Sequence, residues 1–240
     1  MVGLGPGSPL DRTRRCEQAI AAAELVVGYR PYVDSLADLT AGKELAASGM
    51  RQEVQRCRLA VLRAAAGQTV ALVSSGDAGV YGMAGLALEV ARGEGLLGRL
   101  AIEIVPGVTA ATAAAARLGA PLMTDFAAIS LSDLLVEWSV IRRRLEAAAA
   151  ADLVTVLYNP RSVKRQSQLA EAAAIFLRHR PASTPAGVAT ALGAGDERVV
   201  LCDLASLLEQ EVTMRSVVVI GNTTTRVLDG WMVTARGYRL

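Results

Sequence analysis

The stretch Val70-Ala71-Leu72-Val73-Ser74-Ser75-Gly76-Asp77-Ala78-Gly79-Val80-Tyr81-Gly82-Met83 decides the class of fold. Residues 70–73 form a short apolar run of the kind that fills a buried strand. The turn that follows carries three glycines and one carboxylate, and residues 83–92 have helical composition. A strand running through glycines into a helix is the repeating unit of an α/β sheet. Ligands in open α/β sheets collect at such strand ends.

The same order recurs on both sides. Residues 2–4 read as a strand, followed by Gly5-Pro6-Gly7 and a helix start at Ser8-Pro9-Leu10-Asp11. Ser8 can cap that helix, Pro9 suits its first position, and Asp11 complements its positive end. The helix is expected to reach residue 23, and a strand over 25–27 is expected to end at Gly28. Residues 51–66 predict a helix stopped by Gly67. A strand over 102–105 turns at Pro106-Gly107 into an alanine-rich helix over 109–118, stopped by Gly119 and Pro121. The second half predicts strands at 126–129, 153–157, 187–192, 199–202, 217–220 and 232–234, and helices at 137–150, 166–178 and 204–211. Strands alternating with helices predict an α/β class built on parallel sheet. The stop and fresh start within 119–125 divide the chain into expected domains 1–120 and 121–240. The first strand looks short, since only Met1 and Val2 precede Gly3. It is either stunted or continued by residues upstream of Met1.

Composition narrows the function. The 240 residues (25.1 kDa) carry 25 Lys+Arg and 23 Asp+Glu, a formal net charge of +2. That balance argues against a strong non-specific nucleic-acid binder. Hydrophobic residues make up 52%, largely alanine, and aromatics only 4%. No run approaches the ~18 apolar residues of a spanning helix. The N-terminus lacks the hydrophobic run of a signal peptide, so a cytoplasmic protein is expected. Cys16, Cys57 and Cys202 are sparse and scattered, unlike a disulfide framework or a metal cluster. With His179 as the one histidine, Ser-His-Asp and Cys-His catalysis have little support.

Gly3-Leu4-Gly5-Pro6-Gly7 lets backbone approach a ligand, although a tight strand-to-helix turn explains it as well. It is neither GxGxxG nor a phosphate-binding P-loop. Asp77 can accept hydrogen bonds from a ligand, or simply cap a helix. Thr109 in Val105-Pro106-Gly107-Val108-Thr109-Ala110 can cap its helix and still touch a ligand. Leu157-Tyr158-Asn159-Pro160-Arg161, with Lys164 and Arg165 close behind, gathers cations at a strand end and suits a polyanion.

These motifs carry a resemblance. GLGPGS at 3–8, VVGYRPYVD at 26–34, GMRQEVQRCR at 49–58, SSGDAGVYGMAG at 74–85, IVPGVTAATAAAARLGAPL at 104–122, SLSD at 130–133, LYNPRS at 157–162 and VVVIGNTTTRVLDGWMVTARGY at 217–238 stand in the order of the tetrapyrrole methylase family. Within it the chain is most similar to the branch that methylates C17 of precorrin-3B in cobalamin biosynthesis. It departs from the family pattern at Ala78 and Ala235, where relatives often have proline.

The resemblance implies two α/β domains with a cleft between them, distinct from the Rossmann-like methyltransferase fold. It implies S-adenosylmethionine as methyl donor, no metal, a tetrapyrrole substrate and a homodimer. By position, the cofactor contacts carry over to Pro6, Gly76, Asp77, Val80, Thr109, Ala110, Asn159 and Ala191. Methylation at C17 would be followed by ring contraction to precorrin-4, which needs proton transfers. Asp133, Tyr158 and Glu53 are candidates for them, and the motifs do not select among the three. Arg30, Arg51, Arg161 and Arg165 are candidate anchors for the macrocycle carboxylates. A ribosomal-RNA ribose methyltransferase and a diphthine synthase are rivals within the fold, and the 217–238 tail argues against both. A cofactor-binding protein without catalysis is the reading from another class, marked by binding without turnover. The motifs leave open metal-free precorrin-3B or its cobalt-bearing counterpart, and the lack of a cysteine-rich extension favours the former.

Overall fold

The computed structural model describes residues 1–239, which form two compact units, Met1–Ala110 and residues 111–239. The first holds β1 (Val2–Gly3), α1 (Arg14–Ala22), β2 (Leu25–Tyr29), α2 (Arg30–Asp34), β3 (Glu44–Ser48), α3 (Glu53–Ala65), β4 (Val70–Ser74) and α4 (Ala84–Gly93). The second holds α5 (Ala110–Leu118), β5 (Gly119–Ala120), β6 (Phe126–Ser130), α6 (Trp138–Ala150), β7 (Val154–Tyr158), α7 (Gln168–Leu177), β8 (Pro185–Thr190), β9 (Arg198–Asp203), β10 (Ser216–Ile220), β11 (Thr225–Leu228) and β12 (Trp231–Thr234).

In the first unit the sheet order is β1-β4-β2-β3, all parallel. Alternate side chains feed two cores, as the two-residue period of a strand requires. Val26, Ala71 and Val73 pack with Cys16 and Ile20 of α1. Leu25, Val27 and Leu72 pack with Cys57 and Ala60 of α3 and Ala87 of α4. All strand ends of this sheet therefore open on one edge.

The second unit departs from the all-parallel expectation. Its sheet order is β6-β7-β10-β8-β9, and only β6 and β7 run parallel. β10 is antiparallel to both β7 and β8, and β9 is antiparallel to β8. A parallel return needs a crossover of a dozen or more residues, usually a helix. The links from β8 to β9 and on to β10 hold only a 3-10 turn at Leu207–Glu209, where a helix over 204–211 was expected. Ile129, Leu157, Val188, Val218 and Ile220 bury against α6 and α7, with Phe176 fully enclosed. Leu118 of α5 fills the notch at Gly187, where a Cβ would stand 2.7 Å from its Cδ1. That packing, with the pairing of β5 to β12, puts α5 and β5 in the second unit, ahead of the break expected after residue 120.

Other expectations change locally. The helix expected over 8–23 splits into a 3-10 turn at Pro9–Asp11, capped by Ser8, and α1, capped by Thr13. Gly28 lies inside β2 rather than ending it, because β3 continues the pairing through Gly28 and Tyr29, and a Cβ at Gly28 would press on Val33 and Val73. The strand expected over 102–105 reduces to a single bridge from Val105 to Val2. β1 has two residues, as its shortness suggested, and the Met1 amino group donates to Glu103 O at 2.6 Å.

Candidate active site

Three backbones meet at the carboxyl edge of the first sheet. Leu4 N–H donates to Ser74 O at 2.9 Å, and Gly5 and Gly76 exchange hydrogen bonds at 3.0 and 2.7 Å. A Cβ on Gly3 would stand 2.7 Å from Gly76 O, 2.8 Å from Gly107 N and 3.0 Å from Ala78 N. Only glycine allows that approach. Gly76 has φ +63°, and a Cβ on it would stand 3.8 Å from its nearest neighbours. Peptide groups, not side chains, make this surface.

Asp77 holds the loops together. Its Oδ1 accepts from Gly79 N–H at 2.8 Å and its Oδ2 from Gly107 N–H at 3.0 Å. It does not cap α4, whose N-cap is Met83. A carboxylate oxygen can accept more than one hydrogen bond, so these two bonds do not exhaust the capacity of the group. Residues 74–83 contain no Lys, Arg or His, so the loop offers one negative charge and suits a cation better than a phosphate. Val80 and Tyr81 are exposed at its crest, and Pro6 is half-buried in the 5–7 turn. Thr109 precedes α5, which begins at Ala110.

At the same edge, Arg30 is exposed at the start of α2. Arg51 is exposed with φ +62°, and its N–H donates to Glu53 Oε1 at 3.1 Å. Glu53 is therefore engaged in a local turn ahead of α3. Sequence reasoning passed over Arg56, which is buried and has no carboxylate partner among the described residues. It donates to Ser48 Oγ at 2.9 Å and Gly49 O at 2.8 Å, and its guanidinium lies 5.9 Å from the Tyr29 ring.

The second unit builds an edge from Ser130, Tyr158 and Thr190 at the ends of β6, β7 and β8. Tyr158 is buried, and its hydroxyl accepts from Ala111 N–H, in the first turn of α5, at 2.9 Å. Asn159 Nδ2 donates to Ser130 Oγ at 3.0 Å. Arg165 Nε donates to Asn159 O at 2.8 Å and its Nη1 to Ser132 Oγ at 3.4 Å. Burial lowers the Arg165 pKa, against the opposing charge of Asp133. Asp133 itself is exposed and accepts from Gln168 Nε2 at 2.8 Å. Arg161 has a buried Nε with no hydrogen-bond partner among the described residues. Ala191 is buried with φ +54°, and its N–H donates to Arg215 O at 3.0 Å. Ser130 and Ser132 alternate at a strand end, a spacing that could have singled them out. Nothing in the sequence shows that Arg165 is engaged by Asn159.

Of six non-glycine residues with positive φ among the described residues, five follow strand carboxyl ends: Arg51, Tyr81, Asn159 and Ala191 after β3, β4, β7 and β8, and Asp229 in the turn after β11. Such strain persists where surrounding contacts over-determine it, and it clusters at functional sites. Among the described residues, no three or more His, Cys, Asp and Glu side chains gather as a metal site, and no helix is long and apolar enough to cross a membrane.

Known proteins with similar sequence and fold identify the family. The family model for Tetrapyrrole (Corrin/Porphyrin) Methylases matches residues 1–208. A probable cobalt-factor III C(17)-methyltransferase of Salmonella typhimurium is 46% identical over 240 residues, covering 100% of this chain and 99% of that protein. A precorrin-3B C(17)-methyltransferase of Sinorhizobium sp is 43% identical over 230 residues, covering 95% and 90%. The crystal structure of the methyltransferase CobJ superposes with a TM-score of 0.93 at 36% identity, covering 98% of each chain. With the glycine-lined strand ends, the mixed second sheet and these full-length matches pointing one way, the chain belongs to the tetrapyrrole methylase family.

Proposed function

We propose that the protein is an S-adenosylmethionine-dependent C-methyltransferase of cobalamin biosynthesis that methylates C17 of precorrin-3B, with ring contraction to precorrin-4. The observation that carries this reading is identity above 40% along nearly the whole chain to two relatives named for C17 methylation. S-adenosylmethionine supplies an electrophilic methyl group on a sulfonium. The residues fit such a ligand: Gly3, Gly76 and Gly107 clear side chains from the carboxyl edge, and Asp77 adds a negative charge without a phosphate-binding cation. Pro6, Gly76, Asp77, Val80, Thr109, Ala110, Asn159 and Ala191 are the residues that hold it.

The protein's work is then alignment. Fixing two reactants in line removes several kcal/mol of barrier without a protein nucleophile. Arg161, Arg30 and Arg51 grip substrate carboxylates, Arg30 and Arg51 from exposed positions after β2 and β3 and Arg161 from the loop after β7. Tyr158 is the best placed of the proton-transfer candidates, since its hydroxyl is held by Ala111 N–H while Glu53 and Asp133 are exposed and engaged in local turns or loops. A second reading takes the cobalt-bearing counterpart as substrate, favoured by the 46% identity to the Salmonella protein. On the family resemblance alone, the reading extends to a homodimer in the cytoplasm, which light scattering and cell fractionation test. Anaerobic incubation of purified protein with each tetrapyrrole and isotope-labelled S-adenosylmethionine decides the main reading. A product from precorrin-3B carrying one labelled methyl group is expected; labelled product from the cobalt-bearing counterpart alone would replace it with the second reading, and binding without labelled product from either substrate would overturn both.

A further inference from the structure

Asn159 stands in a conformation that its own neighbour opposes. Its φ is +51°, whereas a following proline, here Pro160, favours an extended predecessor. Asparagine tolerates the left-handed region better than most residues, but tolerance does not select one geometry. Two side chains select it. Arg165 Nε donates to the Asn159 backbone carbonyl at 2.8 Å, and Ser130 Oγ accepts from the Asn159 side-chain Nδ2 at 3.0 Å. Arg165 is itself fixed at both ends. Its N–H donates to Ser162 Oγ at 3.0 Å, its carbonyl accepts from Ser162 N–H at 3.1 Å, and its Nη1 reaches Ser132 Oγ at 3.4 Å. One guanidinium thus ties the loop after β7 to the loop after β6.

A substrate anchor needs a free edge of the guanidinium fork to meet a carboxylate with two parallel hydrogen bonds. The edge of Arg165 that includes Nε is already engaged by a backbone carbonyl. We infer that Arg165 is a positioning residue, not a substrate anchor: it clamps the Asn159-Pro160 peptide in its left-handed turn and so fixes the strand-end edge formed by Ser130, Tyr158 and Asn159. Its effect on the cofactor rests on the proposed role of Asn159 in holding S-adenosylmethionine.

The test is a double-mutant cycle in the full chain with two readouts. Glycine takes positive φ without penalty, so Asn159→Gly removes the need for the clamp. Arg165→Ala is expected to weaken S-adenosylhomocysteine binding roughly tenfold by calorimetry, the scale of one lost charge-assisted hydrogen bond. In the Asn159→Gly background the same change should add less than about threefold. Arg165→Lys should recover part of the loss, and the KM for tetrapyrrole at saturating cofactor should stay within about twofold for all variants. Amide exchange at Leu131, whose N–H donates to Tyr158 O at 2.9 Å, should rise in Arg165→Ala, with global melting followed in parallel. Unchanged exchange at Leu131 in the folded variant overturns the clamp. A raised tetrapyrrole KM in both backgrounds, with cofactor affinity unchanged, makes Arg165 a substrate anchor and also overturns it. If exchange rises but the wild type binds no cofactor, the clamp stands and the proposed function falls.

Discussion

Gly3→Ala is the most direct test of the meeting of three backbones at the first sheet's edge. The new Cβ would stand 2.7 Å from Gly76 O, 2.8 Å from Gly107 N and 3.0 Å from Ala78 N. All three are backbone atoms, so no flexible side-chain end can swing away. Gly3 does not have positive φ, and the penalty is therefore steric rather than conformational. Overpacking of this kind costs about 1–3 kcal/mol, which corresponds to a melting temperature lowered by roughly 2–12 °C for a chain of this size. Gly85→Ala is the control of opposite sign. It lies in α4 with nothing within 4 Å of the added Cβ, so the helix gains about 0.5–1 kcal/mol. Differential scanning calorimetry reads both variants, and titration with S-adenosylhomocysteine reads the site. Gly3→Ala should lose about tenfold in affinity, equivalent to ~1.4 kcal/mol, while Gly85→Ala binds as the wild type does. If Gly3→Ala melts and binds like the wild type, the three loops are not in the contact described, and the glycine requirement at this edge is refuted.

Asp77→Ala should lower cofactor affinity and melting temperature together, since it orphans the N–H groups of Gly79 and Gly107 at about 1–3 kcal/mol each where they stay dry; calorimetry and thermal melts on one sample check it. Tyr158→Phe should destabilise the second unit by about 1–3 kcal/mol, because Ala111 N–H loses its acceptor in a buried setting, and a denaturant midpoint unchanged from wild type would contradict this. Arg161→Lys should already weaken tetrapyrrole binding while sparing the cofactor, because a point charge cannot reproduce the guanidinium fork; equal tetrapyrrole titrations would remove Arg161 from the site. Glu197 has its carboxyl held below the ordinary 4.5, first by the Gly193 N–H and then by Arg117. A lowered carboxylate contributes stability above its unfolded pKa and loses it as pH falls through the folded one. Stability of Glu197→Gln should therefore fall less than that of wild type on acidification below about pH 4.5, as read from denaturant midpoints across pH.

The parts of the fold legible in the sequence are those that glycine and proline punctuate. The loop after β4 was readable because 70–73 are apolar and 76, 79 and 82 are glycine. β3 was not, because Glu44-Leu45-Ala46-Ala47-Ser48 contains no β-branched residue; its pairing with β2 makes it a strand. Ile102 and Ile104 have strand propensity and remain exposed, because only Val105 finds a partner in β1. α2 has five residues with Pro31 in its first turn, too short for any helical period to register. The antiparallel order of β8, β9 and β10 follows from connection length, a property that motif reading alone weighs poorly.

The site divides along the same line. Glycines announce where a backbone can approach a ligand, so residues 3, 76 and 107 could be placed from the chain alone. Side-chain roles could not, because they depend on which peptide each group reaches. Asp77 and Arg165 look alike in a sequence, as one charge each beside a strand end. In the structure both are engaged with backbone: Asp77 with Gly79 and Gly107, Arg165 with Asn159. Arg51, Tyr81 and Ala191 sharpen the point. Aspartate and asparagine enter the left-handed region readily, as Asp152, Asp229 and Asn159 do, whereas arginine, tyrosine and alanine resist it. Strain at those three residues costs on the order of 1–3 kcal/mol each, and glycine would remove it. All three sit at strand carboxyl ends. The parsimonious physical account is that each edge is built for a fixed shape first, with charge placed on that shape second. Substitutions that loosen an edge should therefore damage binding before those that merely alter its charge.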